Sequence, residues 1–176
     1  MTPQAVPPIA IVVSRYNGGV TSRLLEGAQE AYARRGGDAA HLGVIEAPGA
    51  FELVALSLAA ARGGVWAGVL AIGCIVRGET SHDRVLADAV AGGLVDVTVA
   101  TGVPVSFGVL TVDNNDQALA RAGGGQGNKG EEGMEALLDT LSAMDAIEQA
   151  RVKGKPGGVQ STLFRTIAKL GGAGEA

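Results

Sequence analysis

The sequence predicts an α/β fold, a four-stranded parallel sheet with helices on both faces. Three observations carry the prediction. Short continuous apolar runs, the pattern of strands buried on both faces, begin near Ile9, Ala39, Val65 and Val103. Between them apolar residues recur at helical spacing, so strand and helix alternate, which implies right-handed crossovers in a parallel sheet. The runs end in turns of polar residues, glycine or proline, at residues 15–19, 47–51 and 77–82.

The first strand is Ile9-Ala10-Ile11-Val12-Val13, closed by the polar turn Ser14-Arg15-Tyr16-Asn17-Gly18-Gly19. Val20, Leu24, Leu25, Ala28, Ala31 and Tyr32 then fall on one helical face, with Thr21 or Ser22 as N-cap. Arg34-Arg35-Gly36-Gly37 ends that helix with cations in its last turn and glycines beyond it. Ala39 to Ile45 is a weaker second strand containing His41. Phe51, Val54, Leu58 and Ala61 mark the second helix. Val65 to Val76 is the third apolar run, longer than one strand needs. Val85, Leu86, Ala89, Val90, Leu94 and Val97 mark the third helix. Val103 to Leu110 is the fourth strand, with Pro104 near its start, where a missing N–H does least harm.

Asp113 to Ala122 reads as a short helix capped by Asp113. Gly123-Gly124-Gly125-Gln126-Gly127 breaks the chain, and Asn128 followed by Glu131 resembles a capping box. Met134, Leu137, Leu138, Leu141, Met144 and Ile147 give the stripe of a long last helix. Residues 1–8 form a leader, 9–150 one domain, and 151–176 a Gly/Lys/Pro-rich extension expected to be poorly ordered, although Leu163, Phe164 and Ile167 could dock.

A chain of 176 residues can bury a real core, and with 3% aromatic residues that core must be aliphatic. A net charge of -4 without a Lys/Arg run argues against nucleic acid or an anionic membrane as partner. No basic, apolar signal peptide opens the chain, and no apolar run approaches the ~20 residues of a membrane span. The expectation is a soluble, cytoplasmic protein. The single cysteine, Cys74, lies in an apolar run without a basic neighbour and reads as a buried, inert thiol.

In open parallel sheets ligands bind beyond the carboxyl ends of the strands. The turns after the first three strands and the segment after Phe107 should therefore share one edge. The stretch Gly73-Cys74-Ile75-Val76-Arg77-Gly78-Glu79-Thr80-Ser81-His82 is the focus there, a strand feeding a tight turn and then a helix start. A helix N-terminus, with its unpaired N–H groups, seats anions. His82, in the first turn, sits beside that seat as a proton carrier, although read alone it could be a plain surface residue. His41 has no such context and reads as structural.

Five patches together resemble the 6,7-dimethyl-8-ribityllumazine synthase family. They are Ser14-Arg15-Tyr16-Asn17, Ala47-Pro48-Gly49-Ala50-Phe51-Glu52, Arg77-Gly78-Glu79-Thr80-Ser81-His82, Phe107-Gly108-Val109-Leu110-Thr111, and Gln117-Ala118 through Arg121-Ala122-Gly123 to Asn128-Lys129-Gly130. The resemblance covers roughly Ile9 to Ile147 and needs no large gap. It implies a flavodoxin-like three-layer α/β/α sandwich, and condensation of a ribitylamino-uracil amine with 3,4-dihydroxy-2-butanone 4-phosphate. It also implies no metal and no organic cofactor, homo-oligomers built of pentamers (in some members sixty-subunit shells), and sites between adjacent subunits. Tyr16 stands where phenylalanine is common, Asp83-Arg84 where an aromatic-Asp pair is common, and the tail after Arg151 is longer than usual.

The same resemblance implies the roles. His82 carries protons. Gly78, Glu79 and Thr80 offer backbone N–H groups to the phosphate, which Arg121 clamps and Lys129 assists. Read alone, Arg121 is a solvated helix-end cation, Lys129 a solvated lysine, and Phe107 a core residue. Ala50, Phe51 and Glu52 contact the uracil and ribityl chain; Glu52 read alone is a helix-dipole partner. Tyr16 and Phe107 flank the heterocycle, and Cys74, Ile75 and Val76 offer it backbone groups. Two other readings share the scaffold: a catalytically idle shell or flavin-binding protein, and an archaeal-type riboflavin synthase. Incubation with both substrates decides the first, and assaying lumazine against riboflavin formation, with the lumazine itself supplied for the latter, separates the second.

Overall fold

A computed structural model of the chain describes residues 5–154. It contains β1 (Ile9–Ser14), α1 (Gly18–Arg34), a 3-10 turn (Ala39–His41), β2 (Leu42–Ala47), α2 (Glu52–Arg62), β3 (Gly68–Val76) and α3 (His82–Thr101). These are followed by β4 (Val105–Val112), α4 (Asn115–Ala120), the short strands β5 (Ala122–Gly124) and β6 (Gly127–Asn128), and α5 (Lys129–Lys153). Among the described residues, those up to Leu138 form one compact unit, and those from Asp139 belong to a second.

The main sheet has four strands in the order β2-β1-β3-β4, all pairs parallel. That is the flavodoxin-like order without its last strand. Alternation of side chains along the strands divides the core. Ala10, Val12, Val69, Ala71 and Val109 pack with Leu53, Ala60 and Ala61 of α2 and with Val90, Leu94 and Val97 of α3. Their neighbours Ile9, Ile11, Leu70 and Ile72 point to the opposite face, where α1 and the first turns of α5 bury Leu24, Ala28, Met134 and Leu137. The two helices meet closely there: a Cβ at Gly130 would overlap the Leu24 carbonyl. Arg34–Glu131 at 2.7 Å and Arg35–Glu135 at 2.6 Å fasten the end of α1 to α5. The expected three-layer α/β/α sandwich is present.

Several element boundaries differ from expectation, each for a local reason. α1 starts at Gly18, and its N-cap is Asn17 instead of Thr21 or Ser22. The Asn17 carbonyl accepts from Val20 N and Thr21 N, so the glycines that read as turn are already helical. The second strand begins at Leu42, since the Asp38 carboxylate accepts from Ala40 N and winds residues 39–41 into a 3-10 turn; His41 is exposed there, outside the strand. β4 starts at Val105 and runs to Val112, two residues later than expected at both ends.

At α4, Asn114 is the N-cap: its Oδ1 accepts from Gln117 N at 3.0 Å. Asp113 instead faces Arg77 at 3.3 Å. The glycine break folds into an antiparallel hairpin, β5 with β6, that the sequence reading lacked. Gly123 and Gly127 take positive φ within it, which a side chain would resist. Asn128 does cap α5, its Oδ1 accepting from Gly130 N and Glu131 N. The reciprocal arm of a capping box is missing, as the Glu131 carboxylate goes to Arg34. α5 continues to Lys153, past Arg151. In its later part Asp145 accepts from Gln149, and Glu148 pairs with Arg151, which holds the Glu148 carboxyl below the usual carboxylate range. Leu163, Phe164 and Ile167 lie outside the described residues.

Candidate active site

A cavity of about 430 Å³ opens at the carboxyl edge of the sheet, between the starts of α2 and α3. It exists because β1 stops early. The β1–β3 ladder ends at Val13 and Ile72, whereas β3 stays paired with β4 to Val76 and Val112. The β1-facing backbone of β3 beyond Ile72 therefore has no strand beside it. Asn17, in the left-handed region at φ 57, turns into this notch, and its Nδ2 donates to the Cys74 carbonyl at 2.8 Å. Cys74, Ile75 and Val76 form the floor.

The rest of the wall comes from the turns after each strand. Ser14 Oγ accepts from Tyr16 N, fixing a tight turn that leaves Tyr16 72% exposed and lining the cavity. After β2, Ala50 is buried while Phe51 is 66% exposed, and Glu52 opens α2. The Glu52 carboxylate folds back over the turn, within 3.1 Å of where a Cβ on Gly49 would sit. After β3, Gly78 and Thr80 line the mouth. Thr80 Oγ1 lies 3.4 Å from His82 N, accepting its hydrogen bond at the threshold of α3. His82, Asp83 and Leu86 follow on the first turns of that helix.

The lining carries two carboxylates, Glu52 and Asp83, and one imidazole, with no lysine or arginine. Burial pushes the Cys74 thiol up to about 11, so it is neutral near pH 7 and contributes backbone and bulk only. Among the described residues no group of three or more His, Cys, Asp or Glu is arranged to hold a metal ion.

Ten sequence-selected residues meet at this cavity: Tyr16, Ala50, Phe51, Glu52, Cys74, Ile75, Val76, Gly78, Thr80 and His82. Four others do not line it within one chain. Glu79 belongs to the turn without lining the cavity. Phe107 pairs with Ala71 in the middle of β4, 48% exposed on the outer strand; β4 continues to Val112, so the ligand edge is reached well after Phe107. Arg121 follows α4, its Nη1 donating to the Gln117 carbonyl at 3.2 Å, and leads into the hairpin that packs against α1. Lys129 opens α5, its ammonium paired with Glu132. His82 lines the cavity and Arg121 of the same chain does not.

The sequence reading left out four lining residues: Asn17, Gly49, Asp83 and Leu86. Asn17 carried a usable signal, since asparagine between a strand end and two glycines favours the left-handed conformation. Leu86 was legible as one turn beyond His82, on the same helical face as Asp83.

Most of the chain is similar in sequence to known proteins. Residues 7–145 match the family model of 6,7-dimethyl-8-ribityllumazine synthase. The chain is 45% identical over 134 residues to the 6,7-dimethyl-8-ribityllumazine synthase of Campylobacter curvus (strain 525.92), covering 76% of this chain and 86% of that protein. It is 41% identical over 149 residues to 6,7-dimethyl-8-ribityllumazine synthase 1 of Caulobacter vibrioides, covering 85% and 97%. The synthase of Sulfurovum sp. (strain NBC37-1) is 42% identical over 142 residues, covering 80% and 90%.

Proposed function

The chain belongs to the 6,7-dimethyl-8-ribityllumazine synthase family, and from that premise we propose how its cavity performs the family's reaction. The enzyme is a transferase of riboflavin biosynthesis. It condenses 5-amino-6-(D-ribitylamino)uracil with 3,4-dihydroxy-2-butanone 4-phosphate, giving 6,7-dimethyl-8-ribityllumazine and releasing phosphate and water. The single observation that carries the site assignment is the meeting of three sequence-distant turns, around Tyr16, Phe51 and His82, over one strand-end notch.

In this reading the pyrimidine stacks on Tyr16 and takes hydrogen bonds from the exposed backbone of β3, while Ala50, Phe51 and Glu52 hold the ribityl chain. The Cys74 carbonyl already serves Asn17, so Ile75 and Val76 supply most of the backbone recognition. The amine attacks the ketone, water and phosphate leave, and ring closure follows; His82 moves the protons of these steps. Holding two substrates together supplies most of the rate gain.

The phosphate needs countercharge, and the cavity of one chain offers only carboxylates and an imidazole. Gly78, Glu79 and Thr80 contribute N–H groups, and an adjacent copy contributes Arg121, Lys129 and Phe107. Exposed apolar residues support such packing: Val85, Val95 and Val99 recur on one face of α3, at 62% to 80% exposure, and Phe51 and Phe107 are exposed as well. The assembly is a ring of five, or a multiple of it. Incubating the purified chain with both substrates tests the activity through the appearance of the lumazine, and light scattering tests the mass of the assembly. Absence of lumazine, or a monomer with full activity, would refute this reading.

A further inference from the structure

We propose that Asp83 is a specificity-determining residue that sorts the two substrates by charge, repelling the phosphate and accepting hydrogen bonds from the donor-rich amine. The inference rests on the function proposed above and adds a residue to it. Asp83 lies in the first turn of α3 and is partly buried in the cavity wall, while Arg84 and Val85 beside it are exposed. Leu86, one turn on, lines the same wall. Among the described residues the carboxylate has no hydrogen-bond or ion-pair partner, so its acceptor capacity is free.

Its place matters because the α3 N-terminus is also where N–H groups would receive an anion. A carboxylate in that first turn already occupies part of the favourable field. Together with Glu52 in the same lining it makes the cavity negative towards any phosphate, while the hydroxyls and amino groups of a ribitylamino-pyrimidine are donors suited to the same oxygens. The two carboxylates therefore favour the neutral polyol over an anion, and the phosphate seated on the N–H groups of residues 78–80 binds against their charge. Orthophosphate, the leaving product, is held less firmly than cations and N–H groups alone would hold it.

The test uses the full chain in its native assembly, as wild type, Asp83→Asn and Asp83→Glu. Two quantities are read: the inhibition constant of orthophosphate against the phosphorylated ketone, and binding of the lumazine product measured by fluorescence without turnover. Asp83→Asn should tighten orthophosphate inhibition roughly three- to tenfold and weaken lumazine binding by a similar factor, whereas Asp83→Glu should stay near wild type. A purely structural role would lower both affinities together and would not be rescued by charge alone. Unchanged or weaker orthophosphate inhibition in Asp83→Asn overturns the proposal. If wild type fails to bind the lumazine at all, the function itself is wrong and the proposal falls with it.

Discussion

The side-chain amide of Asn17 donates to the Cys74 carbonyl at 2.8 Å, joining the turn after β1 to the end of β3. This contact closes the side of the notch that β1 leaves open and sets the floor on which the pyrimidine would lie. Asn17→Ala should destabilise the chain by about 2 kcal/mol, combining a lost hydrogen bond with a left-handed backbone that alanine resists. Asn17→Gly keeps the backbone and should recover part of that stability. Urea denaturation of both variants measures the split, and both should raise the KM for the amine substrate.

His82 and Arg121 should fail differently. His82→Ala should slow turnover moderately, on the order of tenfold to a hundredfold, because proton transfer is only one contribution to the rate. Arg121→Ala should mainly raise the KM for the phosphorylated ketone. Steady-state kinetics separates them: a total loss in the first, or an unchanged KM in the second, would remove the assigned roles.

Much of this site was legible in the sequence because its residues lie where strands end. Tyr16, Phe51 and His82 each follow an apolar run, and a parallel sheet must bring such points to one edge. Local competition blurred the rest. Asp38 captured Ala40 N and shortened β2, and Asn114 outcompeted Asp113 as a cap. Asp83 carried no periodic or capping signal that would aim it into a cavity. Phe107 and Arg121 show the deeper limit: a linear pattern gives each residue's place in one chain, and in one chain neither lines the cavity.

Cys74 should make the enzyme sensitive to strong alkali. Burial pushes its thiol up to about 11, from an ordinary value of 9.0. The folded state thus binds the proton more tightly, and this contribution to stability is complete below pH 9 and lost as pH rises towards 11. The loss is of the order of 2 kcal/mol. Comparing the melting temperature of wild type and Cys74→Ala from pH 8 to 11 isolates it: the gap between the two should narrow or reverse as pH rises. The native thiol should also resist alkylation at pH 8.

Ser57 is fully buried on the inner side of α2, and its hydroxyl has no hydrogen-bond partner among the described residues. An unsatisfied buried hydroxyl costs stability. Ser57→Ala should therefore stabilise the chain by about 1 kcal/mol, read as a higher urea midpoint with unchanged m-value.

The claim that one catalytic unit needs two copies of the chain is tested most directly by mixing defects. One variant carries Tyr16→Ala with His82→Ala, which spoils the cavity, and the other carries Arg121→Ala with Lys129→Ala, which spoils the donated side. Co-expressed in equal amounts, they should assemble into particles with about one quarter of wild-type turnover, the fraction of interfaces that random mixing leaves intact. Activity no higher than the average of the two parents would contradict the shared site.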